Sequence, residues 1–246
     1  MRMMRRLLTA FLVVAAVGFG CAAFAYLTLP DVRTLRTVNP PTTAFIELRT
    51  REAAAAGKKP RRIQTWVSYE RISSNLKRAV LVTEDAAFFE HEGVDFDELE
   101  KSIELNWKKG QFLRGGSTIT QQLAKNLYLS PSKNPVRKFR EFLIARRLEA
   151  ELSKRRIFEI YLNVIEWGDG IYGAEAAARA YFKLPAAALG PEQAAMLASM
   201  IFNPRKYNPA APTAFLQRRQ QLILARMGAI APPPPDQPAP PAVPKS

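Results

Sequence analysis

Cysteine and histidine are nearly absent from this chain. It has one cysteine, Cys21, and one histidine, His91. A lone cysteine excludes an internal disulfide framework and a cysteine-rich metal site, and a single histidine argues against zinc. No metal-ligating residues are assigned. Alternating apolar–polar runs are also scarce, and "RRIQTWVSYE" is the best strand candidate. No segment recurs at solenoid periods. Acidic residues are outnumbered, with 22 Asp+Glu against 36 Lys+Arg and a net charge of +14. That surplus favours anionic partners, whether nucleic acid, lipid headgroups or phosphorylated substrates, without choosing among them.

Charge is missing altogether from one stretch. "MRMMRR" is followed by "LLTAFLVVAAVGFGCAAFAYLTL", 23 residues from Leu7 to Leu29 without a charged side chain. A bilayer span needs about 20. The basic flank predicts a cytoplasmic N-terminus, which places the rest of the chain on the other side of the membrane. "AFA" at Ala23–Ala25 has the form of a signal-peptidase site, but the apolar run exceeds a typical signal core of roughly 7–15 residues. A retained anchor is the expectation. Cys21 follows "GFG", a poor lipidation context, and is read as a small apolar residue of the span.

Four parts follow from composition: the anchor at 1–30, a connector at 31–65, a folded domain at 66–230 and a proline-rich, extended tail at 231–246. The domain reads as mostly α. "DFDELEKSIELNWKKG" carries Phe96, Leu99, Ile103 and Trp107 at helical spacing, with Asp95 and Glu98 as a capping box and Gly110 as a stop. "STITQQLAKNLYL", the long "VRKFREFLIARRLEAELSKRRIFEIYLNVI", "GAEAAARAYF", "PEQAAMLASMI" and "TAFLQRRQQLILARMGAI" also have helical periodicity. Glycines 168, 170 and 173 predict a tight turn before a close-packed Ala-rich helix. Asn203–Pro204 should stop a buried helix. These last two stretches look architectural.

Three places could carry chemistry. In "TEDAAFFEHEGVD" the neighbouring carboxylates Glu84 and Asp85 sit at the end of a predicted helix with Ile72, Leu76 and Val80 on its apolar face. Like charge and apolar surroundings raise a carboxyl pKa, which suits a general base or acid near neutrality. The bland alternative is a helix end with a capping Asp85 and a solvated Glu84. His91 is read as a hydrogen-bonder that joins this turn to its neighbours. In "RGGSTITQQLAKN", Thr118 with Gln121 can cap a helix, and Thr118, Gln121, Gln122 and Lys125 share one face. Such a helix start suits a hydroxyl-rich ligand bearing phosphate, although a solvated face has the same spacing. Glu141 shares a stripe with Ala145, Leu148 and Leu152, and a carboxylate there wants a partner. Arg137 and Lys138, one turn before it, can supply one. A structural ion pair and a cleft-rim carboxylate amid cations both fit.

Taken together, "EDAAFFEHEGVD", "GGSTITQQLAKNLYL", "RKFREFLIARRLEAELSKRRIFEIYLN", "GDGIYGAEAAARAYF" and "EQAAMLASMIFNPRKYNP" resemble the five ordered motifs of peptidoglycan glycosyltransferases. They run from about residue 75 to 210, and the likeness is greatest to the monofunctional transglycosylases of bacterial inner membranes. The resemblance implies a mostly helical, lysozyme-like fold and polymerisation of lipid II. The polyprenyl-pyrophosphate-linked strand would be the donor, and the 4-OH of the lipid II N-acetylglucosamine the acceptor. Glu84 matches the proposed base. Glu141 matches the second glutamate, which assists the leaving group or organises its cations. Lys125, Lys133, Arg137 and Lys138 match or adjoin positions that handle pyrophosphate. Ser117, Thr118, Gln121 and Gln122 fall in the motif lining the sugar cleft, and Asp85, Phe88 and His91 are assigned with Glu84 to substrate binding.

No cofactor is implied beyond a divalent cation, Mg or Mn, that could assist at the pyrophosphate. Expected partners are lipid II, the growing strand, membrane lipids and cell-wall elongation or division proteins, with no nucleic acid. The expected location is the inner membrane, single-pass, with a periplasmic catalytic domain. "SNLK" at Ser74–Lys77 is an isolated Ser-x-x-Lys without a Lys-Thr-Gly, so no transpeptidase domain is read. Two rivals remain: a lysozyme-like hydrolase of the same glycan, and a basic membrane-anchored scaffold. The cations around Glu141 disfavour the first, since a glycosidase has no pyrophosphate to neutralise.

Overall fold

The structure is a computed structural model, and it describes residues 2–109, 116–132 and 134–228. The expected tail at 231–246, Gly110, Arg114, Gly115 and Lys133 lie outside the described residues, as do the side chains of Cys21, Ile103 and Trp107.

The chain begins with α1 (Arg2–Leu27), whose stretch Met4–Leu27 is long and apolar enough to cross a membrane. Its exit is pinned to the domain. Arg140 donates to Thr28 Oγ1 at 2.9 Å and to the Thr28 carbonyl at 3.1 Å. Leu29, Val32 and Leu35 just beyond it join the main core.

The segment expected to be a connector folds onto the domain. Thr43 caps α2 (Ala44–Ala55) by accepting the Ile46 amide. Ile46 is buried, and Arg49 reaches the buried Glu166 at 3.2 Å. β1 (Ile63–Gln64) lies within the one stretch read as strand and pairs in parallel with β3 (Ile171–Tyr172). β3 also pairs antiparallel with β2 (Glu166–Gly168), giving the order β1-β3-β2. Asn163 clamps this strap from both sides, donating to the Val67 carbonyl and accepting the Val67 amide, each at 3.0 Å.

Helices form the rest. α3 (Ser74–Glu84) buries Leu76 and Val80 as its period predicts, with Ile72 buried just before it. α4 (Phe96–Lys109) follows Asp95, whose Oδ1 accepts the Glu98 amide at 2.8 Å. Its first apolar residue, Phe96, faces solvent. α5 (Ile119–Tyr128) begins with the full Thr118–Gln121 capping box. The long helical stretch after it is two helices, α6 (Pro135–Glu151) and α7 (Lys154–Val164). The break falls at Ser153, which leaves helical geometry and accepts the Arg156 amide with its hydroxyl. Ser is a strong N-cap, so a new helix starts where periodicity alone reads through.

The glycine turn is as tight as expected. Gly170 and Gly173 have φ of 68° and 85°, and a Cβ at Gly173 would meet the Asn163 carbonyl at 2.7 Å. α8 (Ala174–Phe182), α9 (Pro191–Met200) and α10 (Ala214–Met227) complete the chain. α9 packs against both α3 and α10, and α5 packs against α6 and α7. The core includes Phe88, Phe158, Tyr161 and Trp167, all fully buried.

Candidate active site

A cleft of about 770 Å³ opens between the end of α3, the start of α5, α4 and α10. Glu84, Asp85, His91, Ser117, Thr118 and Gln122 all line it. Sequence-distant motifs thus share one wall.

Glu84 is the last residue of α3, where the helix brings it out of the core. Its Oε2 accepts the Gln122 side-chain amide at 2.9 Å. Oε1 has no hydrogen-bond partner among the described residues. The residue keeps some solvent contact through the cleft, but protein closely surrounds its carboxyl. This burial raises its pKa. The Gln122 bond and the charges of Arg219 and Lys125 pull the other way, while Asp85 adds a smaller push upward. Burial, rather than the adjacent carboxylate, is therefore the chief cause of the shift.

Asp85 does other work. Its Oδ2 accepts the Ile119 amide at 2.9 Å, and both its oxygens lie within 3.1 Å of His91 Nε2. His91 Nδ1 accepts the Gly93 amide at 3.1 Å. Since Nδ1 is the acceptor, Nε2 carries the hydrogen donated to Asp85. The Asp85–His91 pair therefore locks the turn after α3 to the first turn of α5. Phe88 is part of the same turn but faces inward, packing on Phe89 and Phe158 at ring distances of 5.0 and 5.5 Å. It is fully buried and lines no part of the cleft, so it can reach substrate only through the residues it supports.

On α5, the face predicted from spacing is divided between tasks. Thr118 and Gln121 are buried in the capping box, and the Thr118 hydroxyl donates to the Gly93 carbonyl at 2.7 Å. Gln122 faces Glu84. Lys125 is within electrostatic reach of both Glu84 and Glu141. Its pKa is lowered, first by burial and then by Arg137 and Lys138, with the two glutamates opposing.

Glu141 lies outside the wall of the main cleft. It is 3% exposed, and its oxygens are held by Arg137 and, at 2.6 Å, by Lys138. The Lys138 ammonium also donates to Ser117 Oγ at 3.0 Å, which joins this ion cluster to the cleft.

Three residues at or beneath the cleft were not singled out by the sequence: Phe202 and Arg219 line it, and Tyr161 lies behind it. Phe202 follows the end of α9, and Arg219 stands on α10 with its guanidinium 4.5 Å from the Phe202 ring. Phe202 stands just before the Asn203–Pro204 stop, and Arg219 lies in a stretch read only for its helical periodicity. Tyr161 on α7 reaches the site from below, donating to Gln122 Oε1 at 3.0 Å. Asp95, Asp97, Glu98 and Lys101 form the opposite wall.

Two places offer carboxylates to a divalent ion. Asp85, His91 and Asp95 place ligand atoms within 4.8 Å of one another. However, both His91 nitrogens are already used, so no imidazole lone pair remains. Glu141 has both oxygens committed to cations. Neither set fits a resident ion.

Comparison with known proteins gives the family. Residues 51–228 match the transglycosylase family model. A biosynthetic peptidoglycan transglycosylase of Dechloromonas aromatica (strain RCB) is 53% identical over 192 residues, covering 78% of this chain and 83% of the relative. One from Janthinobacterium sp. (strain Marseille) is 52% identical over 193 residues, covering 78% and 84%. With the matched region spanning the strap, the cleft and every helix from α3 to α10, the chain belongs to the transglycosylase family.

Proposed function

We propose that this chain is a peptidoglycan glycosyltransferase that polymerises lipid II. The observation that carries the reading is Glu84. Its proton affinity is raised, one oxygen is held by Gln122, and the other is free at the wall of a large polar cleft.

In this reading Glu84 Oε1 removes the proton from the acceptor 4-hydroxyl as that oxygen attacks the anomeric carbon of the donor strand. The bond to pyrophosphate breaks, and the configuration inverts. Pyrophosphate is a good leaving group, so nearby positive charge matters more than a strong acid. Lys125 and the exposed side of Lys138 supply it, with Arg137 and Glu141 holding the cluster in place. A divalent ion, Mg or Mn, would enter with the substrate's own pyrophosphate. The α1 helix suits a substrate whose polyprenol stays in the bilayer. The proposed setting is the bacterial inner membrane, with the cleft on the periplasmic side and the basic surface facing anionic lipid.

The test is lipid II polymerisation by the full chain in detergent, beside Glu84→Gln and Glu141→Gln. Loss of roughly 10²–10⁴-fold in Glu84→Gln is expected for a general base. Full activity in that variant, or digestion of finished strands without polymerisation, would overturn the reading.

A further inference from the structure

We infer that Tyr161 is a positioning residue for the base, acting through Gln122 by anchoring the amide whose NH₂ donates to Glu84. The inference rests on the role of Glu84 proposed above. A glutamine amide has a donor end and an acceptor end that a half-turn exchanges, and only its partners decide between them. Here the partners are unequal. The Tyr161 hydroxyl donates to Gln122 Oε1 at 3.0 Å, and the Gln122 amide nitrogen donates to Glu84 Oε2 at 2.9 Å. The ionised carboxylate can only accept, so it takes the NH₂ end, and the Tyr161 hydroxyl, donating to the opposite oxygen, anchors the amide in that pose.

Tyr161 suits this task. It is fully buried, and its ring packs against Phe158, so the hydroxyl has a fixed origin. Burial, with the charges of Glu84 and Asp85, pushes its pKa well above the ordinary tyrosine value. It therefore remains a donor throughout the working pH range. Were the amide reversed, its oxygen would face the carboxylate and disfavour the charged form.

The consequence concerns protonation. A donor aimed at Glu84 favours the carboxylate over the acid. The charged groups that face Glu84 are Asp85 beside it, Lys125 on α5 and Arg219 on α10. None of these changes when the Tyr161 hydroxyl is removed. Gln122 thereby holds Oε2 and leaves Oε1 to take the substrate proton.

The test compares Tyr161→Phe, Gln122→Met and the double variant in lipid II polymerisation from pH 5 to 9. Tyr161→Phe should lower kcat by roughly three- to tenfold with KM little changed. Its acid limb should move to higher pH by about half to one pH unit. In the Gln122→Met background, Tyr161→Phe should add nothing, because the hydroxyl acts only through that amide. An unmoved acid limb, or a loss that repeats undiminished on Gln122→Met, overturns the inference and leaves the base assignment standing. A ¹³C titration of the Glu84 carboxyl in wild type and Tyr161→Phe gives a readout without turnover. Equal midpoints would sink the inference; a higher midpoint in the variant supports it even if wild type failed to polymerise lipid II and so refuted the wider reading.

Discussion

Asp85 Oδ2 accepts the backbone amide of Ile119 at 2.9 Å, so the residue that ends α3 also satisfies the first turn of α5. The carboxylate stands at the positive end of the α5 dipole and holds His91 at the same time. Asp85→Ala would strand two buried donors, the Ile119 amide and His91 Nε2–H. The expected cost is about 2–4 kcal/mol. Asp85→Asn keeps one acceptor oxygen and should lose less. Chemical denaturation of the detergent-solubilised chain measures both.

The pH dependence of activity and of stability should run in opposite directions at Glu84. As a base it must be ionised, so activity should rise with pH through an acid limb above the ordinary glutamate value of about 4.3. Stability has the other sign. A folded-state pKa raised by burial means that the native state binds the proton more tightly than the unfolded chain. That contribution is fully present below the unfolded pKa and is lost as pH rises through the folded one. Glu84→Gln should therefore melt higher than wild type at pH 8, with the gap closing toward pH 4. A gap that stayed constant over that range would contradict burial as the cause. Thermal midpoints in a pH series decide it.

The two cations on Glu141 should not be equivalent. Arg137 has 16% side-chain exposure and Lys138 has 47%, against 4% for Glu141. Arg137→Ala leaves a buried carboxylate without its shielded partner and should cost about 1–3 kcal/mol. Lys138→Ala should cost under about 1 kcal/mol, since solvent screens an exposed pair. Its effect should appear instead in turnover, because Lys138 also reaches Ser117 on the cleft wall. Denaturation and polymerisation rates for the two variants separate these effects.

Two glycines with positive φ should respond differently to alanine. Gly57 has φ of 67° and open space where a Cβ would stand. Gly57→Ala should pay only the left-handed penalty of about 1–2 kcal/mol. Gly173 has φ of 85° and would also drive a Cβ to 2.7 Å from the Asn163 carbonyl. That oxygen accepts from Gln64 in the strap, so yielding there strains a second contact. Gly173→Ala should cost clearly more, as read from relative denaturation midpoints.

Much of the fold was legible because its rules are local. The Thr118–Gln121 box, the buried Ile72–Leu76–Val80 face and the reach of Arg137 and Lys138 to Glu141 each need only helical spacing. The single long helix was misread at Ser153 because an N-cap interrupts a period without erasing it. The connector was misread for a different reason. Its segment "FIELRTREAAAAGKKPRR" shows little beyond charge and alanine, yet Arg49 within it reaches Glu166, and Ile63–Gln64 directly after it pair with β3 and Asn163, roughly a hundred residues away in sequence.

The site divides along the same line. Sequence alone determined the carboxylates, their order along the chain, the apolar N-terminal stretch and the family motifs, because each is a matter of residue type and short spacing. It assigned Glu84 as the base and Asp85 to support it only through the family resemblance, with no physical reason to tell them apart. Tertiary structure supplied that reason, by placing Gln122 on one and the Ile119 amide with His91 on the other. It also brought Tyr161 beneath Gln122 and set Arg219 at the cleft, and it turned Phe88 inward. A proton's affinity for a carboxyl depends on burial, donors and charge within a few ångströms, and here those come from four separate helices.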